Sequence, residues 1–267
     1  MGVTAPIIAP HLIKPFMEKN FKLTVAYEGT NFRGWQRQSM GPTIQELLEL
    51  AVGRVCAHPV TIHGSGRTDA GVHAQGQVAS FKTTSPRSPA QILAGANTLL
   101  PREIAVIKAE EVDLSFHARF SARGKCYSYD FSSSPVRDPL TLRQAWPVGP
   151  NLDWAKLKLC FPFLLGERDF SSFQSKGSEV QSPVRSITHL ELSFPGPRLA
   201  RLYFYATGFL RHMARAITGT LYNVARGQLA PEDLSRILEA RDRRQAGLMA
   251  PAQGLCLRRV YYEDWPF

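Results

Sequence analysis

The chain has 267 residues, of which 44% are hydrophobic and 20% charged, as in a globular protein with one large core or two packed halves. Its 32 lysines and arginines exceed its 22 acidic residues, and the net charge of +10 favours a polyanionic partner such as nucleic acid. The sequence has no apolar run long enough to cross a bilayer, which excludes a membrane-spanning protein.

The cysteines and the N-terminus indicate where the protein works and where its fold begins. Four cysteines lie far apart without a C-x-x-C pair, namely Cys56, Cys126, Cys160 and Cys256. This spacing favours reduced thiols and a cytoplasmic location over a disulfide framework. Residues 1–19 are interrupted by prolines and do not resemble a signal peptide. We expect them to form a disordered extension outside the fold.

The first half of the chain predicts the order β-α-β-β-α-β of a ferredoxin-like unit. Alternating apolar residues at 21–27 predict a strand, and the capping box TIQE at 43–46 opens a helix with one apolar face. The other elements predicted here are strands at 60–63, 77–82 and 103–112 and a helix at 89–100.

The second half predicts a longer set of strands and helices with similar content. Strands are predicted at 125–132, 186–194, 199–206 and 255–262, and helices at 154–165, at 209–226 and after Pro231. We therefore expect an α+β fold of two ferredoxin-like halves, 20–116 and 117–267, whose antiparallel sheets meet at a central cleft. A cleft between halves is a usual place for a functional site.

The most informative segment is the glycine-rich loop GSGRTDAGVHA at 64–74. Its glycines allow sharp turns and the close approach of another molecule. Asp69 is the single carboxylate of the loop, and an exposed carboxylate on a shaped loop is a candidate nucleophile or general base. The alternative is that Thr68 or Asp69 only caps a turn. The glycine spacing matches neither a P-loop nor a dinucleotide-binding fingerprint.

Four basic residues are candidates for binding an anion near this carboxylate. Arg67 either pairs with Asp69 or grips a phosphate, and an arginine from elsewhere in the chain is an alternative partner. Arg211 and Arg215 are four apart on the predicted 209–226 helix, so they would share a face and repel unless an anion lies between them. Together with His212 they form either a cationic wall opposite Asp69 or a solvated helix face.

Tyr127 follows Arg123 and Lys125 on a predicted strand. Aromatic residues interleaved with basic ones suit base stacking beside phosphates, although core packing of this tyrosine is the alternative. The histidines and the cysteine near the loop match no zinc spacing, so we expect no metal.

Several segments together carry a resemblance to a known family. They read YEGTNFRGWQRQ at 27–38, GRTDAGVHA at 66–74, HARFSA at 117–122, DFSSF at 169–173, GFLRHM at 208–213 and APA at 250–252. In this order, and over roughly residues 21–263, the chain resembles the TruA family of tRNA pseudouridine synthases.

The resemblance implies isomerisation of uridine to pseudouridine at positions 38, 39 and 40 of the tRNA anticodon stem-loop, without cofactor or essential metal. It implies a homodimer with tRNA as its partner, and it leaves open whether the nucleophile attacks the base or the sugar. The residue roles that it implies are the nucleophile for Asp69, its partner for Arg215, displacement of the target nucleotide for Arg67, stacking on the base for Tyr127, and lining of the apolar side of the pocket for Leu210. From their place in the predicted cationic wall, we expect Arg211 and His212 to contact the substrate.

Two other functions compete with this interpretation. A non-catalytic RNA-binding protein on the same fold would keep the basic surface but could lose Asp69 or Tyr127, and both are present. A hydrolase for a small anion would need a second carboxylate or a metal near the first, and the glycine-rich loop has neither a second acid nor a metal-ligand pattern.

Overall fold

The computed structural model describes residues 17–175, 177 and 181–267. Most of the expected extension, residues 1–16, lies outside the described residues, and the first strand already begins at Lys19. The first half has the β-α-β-β-α-β order that the sequence predicts. Its elements are β1 (Lys19–Tyr27), α1 (Ile44–Cys56), β2 (His63–Gly64), β3 (His73–Thr83), α2 (Pro89–Leu99) and β4 (Ile104–Val112).

The second half contributes six further strands and four helices. They are β5 (Gly124–Ser132), β6 (Trp146–Pro147), α3 (Trp154–Leu159), α4 (Phe161–Leu164), β7 (Gly166–Asp169), β8 (Val184–Gly196), β9 (Leu199–Ala206), α5 (Met213–Ala225), α6 (Asp233–Ala240) and β10 (Leu255–Tyr261). Short 3-10 turns lie at Ser171–Phe173, Arg243–Gln245 and Ala252–Gly254.

The α+β class is confirmed, and the two halves share one ten-stranded sheet. Its main path runs β4-β1-β3-β10-β5-β9-β8-β7. The last strand, β10, joins the halves because it pairs parallel with β3 on one edge and antiparallel with β5 on the other. The parallel contact is short, from Cys256 opposite His73 to Leu257 opposite Ala74. Beyond this contact β3 and β10 separate and leave a seam in the sheet. The short strand β2 and the glycine-rich loop lie in this seam.

One face of the sheet carries the core and the floor of the seam. Tyr27 lies opposite Ala74, and Leu257 lies opposite Tyr127, so these side chains point to the same face. A single hydrophobic cluster covers this face in both halves and includes residues of α1, α2 and α5. The seam between the two groups of helices is thus lined by β3, β10 and β5.

Two predicted helices differ from the structure. The helix predicted at 154–165 is split into α3 and α4, because Pro162 has no N–H to donate inside a continuous helix. The helix predicted at 209–226 begins only at Met213, since His212 has φ of 64°, a left-handed conformation that a right-handed helix cannot include. In the described part of the chain, no helix combines the length and apolar character needed to cross a membrane.

Candidate active site

Thr68, the residue before Asp69, is held through both its side chain and its backbone. The hydroxyl of Tyr27, at the end of β1, lies 2.8 Å from Oγ1 of Thr68, and the backbone N–H of Trp35 donates to the Thr68 carbonyl at 3.0 Å. Gly34 makes this approach possible, because a Cβ there would lie 2.5 Å from the same carbonyl oxygen and its φ is +91°. The segment at 27–38 therefore holds the loop in shape.

The stem of the loop is fastened to both halves of the protein. Within the first half, Oγ of Ser65 donates to Oε1 of Gln77 at 2.7 Å, and the Gln77 amide donates to the Gly66 carbonyl at 2.9 Å. From the second half, Nζ of Lys125 on β5 donates to the Ser65 carbonyl at 2.7 Å. Burial lowers the pKa of Lys125 to about 8, and the nearby charge of Arg119 acts in the same direction.

The carboxylate of Asp69 is paired across the seam with an arginine of α5. Nη1 of Arg215 lies 3.2 Å from Oδ2 of Asp69, and the two side chains are 16% and 26% exposed. Nε of Arg215 donates to the Ala250 carbonyl at 2.8 Å, while the Ala250 N–H donates to the Arg215 carbonyl at 3.2 Å. The Ala250 backbone thus orients the guanidinium toward Asp69. In a partly buried ion pair of this kind, the two charged groups hold each other in position.

His212 lies against the other oxygen of the same carboxylate. Its Nε2 is 3.4 Å from Oδ1 of Asp69, and its Nδ1 is 2.7 Å from Oγ of Ser175. Burial lowers the pKa of His212, and the charges of Arg215, Arg211 and Arg243 lower it further against the opposing effect of Asp69. A neutral ring with its proton on Nε2 avoids a lone pair facing the carboxylate, so the Ser175 hydroxyl donates to Nδ1.

The aromatic candidate lies near this polar centre. Tyr127 is only 7% exposed, and the ring of Phe209 meets it edge-on with centroids 4.8 Å apart. Burial raises the pKa of Tyr127, and the nearby Tyr27 and Asp69 raise it further, so this phenol stays protonated. Leu210 is also buried, in the same hydrophobic cluster as Tyr127.

Two of the candidate arginines point elsewhere. Arg67 is exposed, and its Nε donates to Oε1 of Gln36 at 3.2 Å. Arg211 precedes α5, and its Nη1 donates to the Gly177 carbonyl at 3.4 Å. The expectation that Arg211 and Arg215 share a helical face is therefore wrong, because the left-handed residue His212 separates them.

Sequence reasoning missed the residues that hold the candidates in place. Ser175 orients His212, the Ala250 carbonyl orients Arg215, and Lys125 and Tyr27 anchor the loop. The segments quoted for the family resemblance contain Tyr27 and Ala250, and the segment at 169–173 ends two residues before Ser175. The resemblance therefore indicated these regions, but a local sequence pattern does not predict which atoms make the contacts.

The fold and the site define an α+β protein with an arginine-paired carboxylate at the seam of one sheet, beside a buried tyrosine. A family model described as tRNA pseudouridine synthase matches residues 23–121 and 163–263. The chain belongs to this tRNA pseudouridine synthase family.

Curated relatives agree with that assignment over nearly the whole chain. The protein is 40% identical over 244 residues to tRNA pseudouridine synthase A 2 of Clostridium perfringens, covering 91% of this chain and 100% of the relative. It is 42% identical over 247 residues to tRNA pseudouridine synthase A of Geobacter sp. strain M21, covering 92% and 100%. Among solved structures, a Cbf5-Nop10-Gar1 complex matches 90% of this chain and 50% of that chain at 12% identity, with a TM-score of 0.38.

Proposed function

We propose that this protein isomerises uridine to pseudouridine in tRNA, at positions 38, 39 and 40 of the anticodon stem-loop. The observation that supports this most is the Asp69 carboxylate, held at the seam by Arg215 in a chain of this family. In the reaction the bond from N1 to C1′ breaks, the base turns, and C5 bonds to C1′. C5 loses a proton and N1 gains one, so the atoms balance without an oxidant or reductant.

In this proposal Asp69 is the nucleophile, and its attack is on either the base or the sugar. Arg215 keeps the carboxylate aimed, and Tyr127 and Leu210 receive the target base. A uridine inside a stem must first leave the stack, which costs about a few kcal/mol. Arg67, exposed on the rim, is suited to displace the nucleotide, and Arg211 is suited to bind the RNA backbone.

A set of tRNA transcripts tests this proposal by position. Each transcript carries uridine at only one of positions 38, 39 and 40, and a fourth carries none. We expect pseudouridine in the first three after nucleoside analysis and none in the fourth. Tight binding of all four transcripts without product would instead favour a non-catalytic RNA-binding protein.

We also propose that the two halves, 20–116 and 117–267, form the two walls of the RNA-binding cleft and that the protein acts as a homodimer in the cytoplasm. Four free cysteines, three of them buried, support a reducing compartment. Light scattering at micromolar concentration is expected to give the mass of two chains, and a one-chain mass would count against the dimer.

His212 is expected to position Asp69 more than it binds RNA. His212→Asn tolerates the left-handed backbone and retains an amide near Ser175, but its side chain is too short to reach Asp69. We expect kcat to fall about tenfold, equivalent to about 1.4 kcal/mol, with KM within about twofold. His212→Gln, whose amide reaches as far as Nε2, should recover part of kcat. A rise in KM at constant kcat would instead indicate a substrate contact.

The pKa of Lys125 predicts how tRNA affinity depends on pH. Because burial lowers that pKa to about 8, the ammonium beside the loop loses its charge as the pH rises from 7 to 9. We expect affinity to fall about fivefold over this range, the effect of losing about 1 kcal/mol of attraction. Lys125→Arg keeps its charge and serves as the control. Equal pH dependence in both proteins would rule out this lysine as the cause.

A further inference from the structure

Three aromatic rings form a tilted stack at the surface where the glycine-rich loop begins. The centroid of the Phe120 ring lies 4.4 Å from that of His117, which lies 5.1 Å from that of His63 on β2, and the planes of each pair are inclined by 34°. Phe120 is 77% exposed, more than the other phenylalanines among the exposed hydrophobic residues of the described chain. Most of this flat ring is therefore accessible to a binding partner.

The turn that presents Phe120 is rigid. Nδ1 of His117 accepts the backbone N–H groups of Arg119 and Phe120 at 3.1 and 3.4 Å. The Ala118 N–H donates to Oγ of Ser80 at 3.0 Å, and the Tyr262 hydroxyl donates to the Ala118 carbonyl at 2.8 Å. The backbone that carries the exposed ring is therefore held by both halves of the protein, which limits the freedom lost on binding.

A positive charge lies over the same ring. The Arg119 guanidinium is 5.6 Å from the centroid of Phe120. Burial lowers the pKa of His117, and the neighbouring His63 and Arg119 lower it further, so the middle ring of the stack is neutral near pH 7. A ring beside a cation suits a nucleobase attached to its phosphate.

The stack is close enough to the carboxylate to touch the same RNA. His63 precedes Asp69 by six residues, and six fully extended residues span at most about 22 Å. The stack and Asp69 thus lie at the start and in the middle of the glycine-rich loop, within reach of one RNA arm.

We propose that Phe120, supported by His117 and His63 and flanked by Arg119, is an accessory stacking surface for an unpaired nucleobase of the substrate RNA. This inference rests on the proposed function and deepens it. Every base has a flat aromatic face, so such a surface would grip single-stranded RNA near the target without reading its sequence. Charge complementarity favours RNA over a second copy of this basic chain.

The test compares Phe120→Ala, which removes the ring, with Phe120→Trp, which keeps a larger one. Phe194→Ala is the matched control, because Phe194 is also exposed (57%) but lies on β8, four strands from β3 along the sheet. We expect Phe120→Ala to raise KM and the Kd for tRNA about five- to a hundredfold, as expected for one lost base–aromatic stack. We expect kcat to stay within about twofold, and Phe120→Trp and Phe194→Ala to resemble the intact protein.

The outcomes separate this inference from the proposed function. If the intact protein forms pseudouridine and Phe120→Ala has unchanged KM and Kd, the stacking surface is wrong and the function stands. If the intact protein binds tRNA without forming product, the proposed function fails. The stacking surface is then tested only by comparing the Kd of Phe120→Ala for tRNA with that of the intact protein. If Phe120→Ala lowers the mass measured by light scattering, the ring lies at a contact between copies, and the inference is overturned.

Discussion

Exchange of Asp69 for asparagine is expected to abolish pseudouridine formation while tRNA still binds. Asparagine has nearly the same shape but no negative charge, so it cannot supply the attacking oxygen. Loss of a nucleophile typically costs more than about a thousandfold in kcat. The Kd for tRNA should change by less than about tenfold, or about 1.4 kcal/mol, because most of that affinity comes from phosphate contacts. Nucleoside analysis and filter binding measure the two quantities.

Asp69→Glu is the matched control for charge. It keeps the carboxylate but moves it by one methylene, and a shift of about 1 Å at a reacting group can cost about a hundredfold. We expect it to bind tRNA like the intact protein and to retain slow turnover. Full activity of Asp69→Asn would remove Asp69 from the mechanism.

Exchange of Arg215 for methionine is expected to lower kcat about a hundredfold or more. Asp69 would lose the cation that lies 3.2 Å from its Oδ2, and the Ala250 carbonyl would lose the donor at 2.8 Å. The carboxylate would then be free to turn away from the base, and this misplacement accounts for the loss. Single-turnover kinetics at saturating tRNA measure the effect on the chemical step.

Two further variants separate orientation from charge. Arg215→Lys keeps the positive charge but has no planar fork with which to bind Ala250 and Asp69 at once, so we expect an intermediate kcat. The double variant Asp69→Glu/Arg215→Met should lose less activity relative to Asp69→Glu than Arg215→Met loses relative to the intact protein, since the arginine acts through the carboxylate. An additive loss would mean that Arg215 works on the substrate independently. Thermal unfolding of each variant checks that the fold is intact.

Local pattern predicted the elements that depend on nearby residues. The alternation at 21–27, the cap at Thr43 and the helix at 89–100 each reflect contacts within a few positions, and each appears in the structure within a residue or two. The predicted start of α5 was wrong, because His212 has a left-handed backbone that the helical spacing of the sequence does not indicate. The side chain of His212 contacts Ser175 and Asp69, which lie 37 and 143 positions away in the sequence.

For the same reason, local sequence pattern could not predict how the two halves join. β10 pairs with β3 across the length of the protein, and nothing in the alternation of 255–262 distinguishes a parallel partner from an antiparallel one. For the site, the family resemblance indicated the pair of Asp69 and Arg215, which the structure contains. The Lys125 contact to Ser65 and the stack under Phe120 depend on how the halves pack around the loop, so no local sequence pattern could predict them.

Release of tritium from tRNA labelled at uridine C5 tests the proposed reaction most directly, because C5 must lose its hydrogen when it bonds to C1′. With the intact protein, we expect one tritium released to water for each pseudouridine formed. With Asp69→Asn, we expect none above background, although the tRNA remains bound. An intact protein that binds the labelled tRNA and releases no tritium would contradict the isomerase assignment and favour a non-catalytic RNA-binding protein.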